Sequence, residues 1–223
     1  MPAYAVLSNR FKLELGLKTV DLDSDSIKCL LMKSGFVFDP AVHGLLANIK
    51  ADTTAMALDV DATARTFTRA SGSFITDGFV PGNNFDSTGF TNAGNNGAWV
   101  IDTVVALVIT VVDGTGLVTE SGGGDEQLVA DDELETGNGY TQNTKTTGTI
   151  TAAQNDTANR AEFTFPTVLW EASGGSIGPT PCLLLYDDTH TSNVIVGAYT
   201  FISEMTATDG EPFEFANGSI YIA

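Results

Sequence analysis

The sequence predicts a mainly β protein: an antiparallel sandwich or barrel with one or two short N-terminal helices, and a small all-β domain inserted into it. Three observations support this. Short segments rich in β-branched and aromatic residues recur at near-regular spacing, from "NTKTTGTITAA" through "RAEFTFPTVLWEA", "CLLLYDD", "VIVGAYTFI" and "PFEF" to "SIYIA". Turn-forming stretches such as "AAQNDTANR", "ASGGSIGPTP" and "DDTHTSN" separate them, with no long helical segment of the kind a βαβ fold needs. From about Ala57 to "ESGGG", helical spacing disappears while glycine and asparagine rise, which marks a second block of short strands. The expected organisation is a discontinuous host domain, residues 1–56 and 125–223, around an inserted domain at 57–124.

The elements follow in order. Leu7, Phe11 and Leu15 recur at helical spacing behind Ser8 or Asn9 as a cap, predicting a short amphipathic helix that ends at Gly16. The carboxylate-rich turn "VDLDSDS" precedes an apolar run, Ile27 to Met32, that suits a strand buried on both faces. Asp39 as N-cap and Pro40 at the first helical position predict a second helix over Pro40 to Ile49. Further on, "GAWVIDTV" and "ALVITVVDGTG" read as two strands joined by a very short turn. "ESGGGDEQLVADDELETGNGY" is glycine-rich and then acidic, without alternation until Tyr140, and reads as a linker at the domain boundary.

Composition excludes several function classes. With 43% hydrophobic residues in 223, the chain can bury a real core. Its 28 acidic and 10 basic residues give a formal charge of −18, which repels nucleic-acid phosphates and anionic lipid, so no direct nucleic-acid partner is expected. The longest apolar stretch, Val104 to Val112, is less than half of a membrane span, and "MPAYAVLSNRFKLELG" has no secretory h-region. No membrane association is expected. Cys29 and Cys182 both lie in apolar runs and read as buried free thiols of an intracellularly folded protein rather than a disulfide.

No residue constellation points to catalysis, a cofactor or a structural metal, and the chain reads as a non-enzyme. "GFVPGNNFDSTGFTNAGNNG" lacks the lysine and the following helix of a phosphate loop. Its asparagines and glycines are expected to serve tight hairpin turns at positive φ, leaving Phe79, Phe85, Phe90 and Trp99 to a small core. Asp21, Asp23 and Asp25 begin like an EF-hand loop, but Ser26 stands where glycine is needed and Met32 where the bidentate glutamate should be. A solvated turn is the expectation, with a weak surface Ca²⁺ site left open. Asp187, Asp188, His190 and Ser192 lack a nucleophile elbow and read as a polar hairpin loop. His43 and His190, without paired cysteines, do not make a zinc site, and Glu162, Glu171 and Glu204 read as exposed strand positions.

The segments "FKLELGLKTVDLDSDSIKCLLMKSGFVFDPAVH", "ELETGNGYTQNTKTTGTIT", "NDTANRAEFTFPTVLWEASGGSIGP" and "LLLYDDT" resemble a group of small bacteriophage virion proteins, over roughly residues 6 to 50 and 128 to 223. In that group the first helix, the "VDLDSD" turn and the "GNGYT" element follow one another without the glycine-rich block. The intervening block separately resembles a small β-module of phage structural proteins, through Gly78-Phe79, Gly89-Phe90-Thr91-Asn92 and Asn95-Asn96-Gly97, and departs from it at "NNFDST". The resemblance implies a non-catalytic, homo-oligomeric virion protein, assembled in the host cytoplasm, that decorates or cements the capsid. Its implied partners are the major capsid protein, further copies of itself, or both. Two alternatives stand beside it: a tail component (tube, baseplate or fibre-associated), and a host-surface or carbohydrate-binding module using Trp99, Trp170, Tyr140 and Tyr186.

Overall fold

In the computed structural model, which describes residues 5–216 and 218–222, the chain divides into two compact units: Met1–Leu46 with Glu133–Ala223, and Ala47–Asp132. The elements begin with β1 (Val6–Leu7), helix α1 (Asn9–Leu17) and β2 (Ile27–Leu31). The second unit contributes β3 (Lys50–Asp52), β4 (Leu58–Asp61), β5 (Thr66–Arg69), helix α2 (Phe74–Asp77), β6 (Asn84–Thr88), β7 (Gly97–Val105), β8 (Val108–Val111) and β9 (Gln127–Asp131). The first unit resumes with β10 (Thr151–Asn155), β11 (Arg160–Phe165), β12 (Val168–Glu171), β13 (Ile177–Asp187), β14 (Ile195–Ala207), β15 (Pro212–Phe215) and β16 (Gly218–Ile222). All pairings of these strands are antiparallel. The sheets are sandwich-like and none closes into a barrel.

The first unit holds a four-stranded sheet, β1-β14-β13-β2, a three-stranded sheet, β10-β11-β16, and the pair β12-β15. The run from Cys182 to Asp187 is buried at every position, which is why Cys182–Tyr186 reads as continuous rather than alternating hydrophobicity. Its core is strongly aromatic: Tyr199 packs on Phe215 with ring centroids 4.7 Å apart, and Trp170 meets Phe213 edge-on at 6.0 Å. Ser8 caps α1, accepting from the Phe11 N–H at 2.9 Å while its hydroxyl donates to the Ile195 carbonyl. The helix therefore starts where its cap touches β14. It passes the expected stop at Gly16 and ends at Lys18, whose φ of 59° closes the last turn with its N–H on the Glu14 and Leu15 carbonyls.

The helix expected over Pro40 to Ile49 does not form. Asp39 does act as a cap, since the Ala41 N–H bonds its Oδ1 at 2.8 Å, but one turn later the chain leaves the helical path. Leu45 bridges Val194, and the Leu46 N–H donates to the Asn193 carbonyl at 2.9 Å, so pairing with the loop before β14 takes the backbone groups that a second turn would use. A single 3₁₀ turn, Leu46–Asn48, remains.

The second unit is one seven-stranded sheet in the order β3-β9-β6-β7-β8-β5-β4. It runs from Ala47 to Asp132 rather than over 57–124, because β3 pairs with β9, and β9 pairs with β6. The expected linker is thus partly strand: Gln127–Asp131 buries Leu128 and Ala130 and exposes more of its alternate residues. Phe67 is the hub of the core, with Phe85 edge-on at 5.4 Å and Phe90 at 5.7 Å.

Candidate functional site

Two places on the first unit, and a polar latch in the second, gather the chemistry. The first place is an apolar ledge. β13 pairs Thr180 with Met205 and Cys182 with Thr200, so Pro181 alone lies opposite Phe201 to Glu204. Proline has no N–H to give the ladder, and β14 bulges away from it. The bulge lifts Ile202 to 94% exposure. Glu204 fastens it, its Oε1 accepting from the Ser34 hydroxyl at 2.7 Å and the Gly35 N–H at 3.2 Å. The turn so anchored presents Val37, 78% exposed. Between them runs a cleft of about 340 Å³ walled by Phe36, Val37, Phe38, Pro181, Phe201 and Ile202. His43 is buried behind it, its ring 5.0 Å from Phe36 and its Nδ1 accepting the Asp39 N–H at 2.9 Å.

The second place is acidic. The "DLDSDS" turn is internally bonded: the Asp25 carboxylate accepts the Asp21 N–H at 2.6 Å, and Asp21 accepts the Asp23 N–H at 3.1 Å. It borders a cleft of about 350 Å³ with Asp23, Ser24, Asp25, Thr146 and Thr149 on its walls. Asp187, at the end of β13, is fully buried. Its Oδ1 accepts the Thr189 and His190 N–H groups at 2.8 and 3.1 Å, while Oδ2 meets no donor. Burial raises its pKa above the usual aspartate range against those N–H bonds, and the Asp25 carboxyl raises it further.

In the second unit the G-F-T-N and N-N-G segments work differently from expectation. Asn92 and Asn96 have negative φ, and the block folds into a 3₁₀ turn, Ala93–Asn95. The asparagine side chains substitute for backbone instead. Asn96 Oδ1 accepts the Phe90 N–H at 3.0 Å and its Nδ2 donates to the Phe90 carbonyl at 2.9 Å. Buried Asn95 does the same to Val118, at 2.8 and 2.9 Å, and donates to Glu120 at 2.7 Å. Burial acts to raise the Glu120 pKa, but donors from Asn92, Asn95 and Thr91 outweigh it and leave it lowered. The glycines do supply positive φ, as at Gly89, φ 85°.

The remaining candidates are dispersed. Asp188 is exposed and pairs with Lys28 at 2.9 Å, His190 turns Nε2 toward Glu14 at 4.0 Å, and Ser192 is exposed with its N–H on His190 Nδ1. No nucleophile and base face each other among them. Glu162 bonds Arg160 at 2.8 Å on β11 and is half-buried, Glu171 is exposed on β12, and Glu204 holds the bulge. Tyr140, Tyr186 and Trp170 are buried and Trp99 half-buried on Phe67, so the four aromatics form no exposed platform. Cys29 and Cys182 are buried free thiols, Cys182 with its pKa pushed up to about 12 by burial. Sequence reasoning missed Val37, Ile202 and the unpaired oxygen of Asp187. The consecutive "FVF" in a turn region was the one local signal of the ledge. No family model, curated protein or solved structure matches the chain.

Proposed function

We propose that this chain is a structural protein of a bacteriophage particle, decorating or cementing the capsid by binding between coat subunits without catalysing a reaction. The ledge of Ile202 and Val37 carries the reading: two large aliphatic side chains lifted into solvent beside an aromatic-walled cleft fit a protein surface better than a solute. The sequence resemblance to virion proteins supports the same assignment. Docking would bury both side chains, each stabilising by about 1.5–3 kcal/mol. One such contact is weak, and a symmetric lattice multiplies it through avidity. The partners are the major coat protein, further copies of this chain, or both, and the place is the virion.

The test is to add the purified protein to coat shells lacking it and to measure co-sedimentation. Saturable binding in a simple ratio to coat is expected. Absence of binding to shells, with binding to isolated tails, would replace the capsid assignment by a tail one.

A further inference from the structure

An open sheet edge invites another strand, because its outward N–H and C=O groups have no partner in the fold. The seven-stranded sheet guards both of its edges with charge, Lys50 and Asp52 on β3 and Asp59 and Asp61 on β4, and β15 carries Pro212 and Glu214. β10, at one edge of the β10-β11-β16 sheet, has no such guard. Its sequence, "TAAQN", holds no charge and no proline, and among the described residues it pairs with β11 alone. Thr151 to Gln154 are all exposed, so side chains on both faces of the strand are in solvent, whereas β16 at the opposite edge buries Gly218 and Ile220. The polar end of the hairpin satisfies itself: Gln154 donates to Asp156, and Asn155 donates at 2.8 Å to Glu162, which Arg160 pairs at 2.8 Å.

We propose that β10 is a self-association edge, on which a second copy of this chain lays its own β10 antiparallel, about a two-fold axis at Ala153. In that register Thr151 lies opposite Asn155, Ala152 opposite Gln154, and Ala153 opposite its own counterpart. Charge selects this occupant. Two chains carrying −18 each repel in most approaches, but here only uncharged residues face one another, and the two Asp156 carboxylates fall at opposite ends of the contact. The alanines at the centre leave room for the backbones to reach the ladder spacing of about 4.8 Å. The same strand serves both copies, as a closed two-fold interface requires, and it joins two three-stranded sheets into one. With five residues pairing on each side the contact is small, which places it among weak, reversible interfaces. It is separate from the Ile202 ledge on β14 and does not rest on the particle assignment.

The experiment is sedimentation velocity of the full chain from about 10 μM to 1 mM, for the wild type, Ala153→Lys, Ala153→Glu and an equimolar mixture of the two variants. The wild type should pass from monomer toward dimer. Each variant alone sets like charges opposite one another at the axis and should dimerise at least about tenfold more weakly, and the mixture, in which lysine faces glutamate, should recover the dimer. Ala153 is exposed, so neither variant should alter the monomer's melting temperature. Ile202→Ala should leave the dimer intact, which separates this edge from the ledge. Ala153→Cys captures even a weak pairing: opposed Cα atoms about 4.5–5.5 Å apart lie within disulfide reach, and mild oxidation should give a cross-linked dimer. Exposed Ser71→Cys, in the other unit, should not cross-link, and native Cys29 and Cys182 are buried. A dimer indifferent to Ala153→Lys would place self-association elsewhere. A monomer at every concentration, with no Ala153→Cys cross-link, would leave the edge to another protein or to none. Either result overturns the proposal.

Discussion

Replacing Ile202 with alanine separates docking from folding, because the side chain has almost nothing to lose within the protein. At 94% exposure its truncation removes little intramolecular burial, so stability should stay within about 0.5 kcal/mol of the wild type. If the ledge docks on coat as proposed, the same side chain would go from fully wet to buried, and most of about 1.5–3 kcal/mol would disappear with it. At 1.4 kcal/mol per tenfold, affinity for coat shells should fall about 10- to 100-fold. Ile202→Asp should abolish binding by placing an unpaired charge in the contact. The assay is co-sedimentation or surface plasmon resonance against immobilised shells, with Leu17→Ala as control. Leu17 is 60% exposed on α1, remote from the bulge in sequence and not among the residues walling the cleft, and its loss should leave affinity unchanged. Full-strength binding by Ile202→Ala, or equal losses at Leu17 and Ile202, would refute the assignment of the ledge as the docking surface.

Other expectations concern the fold itself. Gly89→Ala should destabilise the Ala47–Asp132 unit by more than about 1–3 kcal/mol, since φ is 85° and a Cβ would stand 2.1 Å from the Asp125 carbonyl oxygen. Urea unfolding followed by Trp99 fluorescence reads this. Phe67→Ala should cost about 3–5 kcal/mol by the same assay, leaving a cavity among Phe85, Phe90 and Trp99. Glu126 is buried; burial acts to raise its pKa, but the Gly123 and Gly124 N–H groups at 2.5 and 2.8 Å outweigh it and leave it lowered. Its contribution is thus present above the ordinary glutamate pKa and lost as pH falls through the lower folded value. Glu126→Gln should flatten the decline in melting temperature on acidification below about pH 4.5. Finally, Cys29 and Cys182 should resist thiol reagents in the native state at neutral pH and both react after unfolding, because burial raises both thiols.

What the sequence made legible was set by local pattern. β2, apolar but for Lys28, and the Cys182–Tyr186 part of β13 are largely apolar runs, and the β7–β8 hairpin is rich in β-branched residues, so these segments announce themselves. The second helix had a sound start at Asp39, but the decision against it is made by Val194 and Asn193, about 150 residues away in the chain. In "EQLVADD" alternation is present in Leu128 and Ala130, yet acidic neighbours conceal it, and only the pairing with β3 and β6 shows it to be strand. Asn95 and Asn96 were read through their backbone tolerance when their side chains do the bonding, a distinction that composition does not carry. Pro181 was visible from the start, but its effect required knowing that β14 runs beside it.

The central claim is that this protein builds a particle. Quantitative mass spectrometry of purified virions, giving the copy number of this chain relative to the major coat protein, tests it most directly. The account predicts many copies in a simple ratio to coat. Complete absence of the chain from the particle would contradict it.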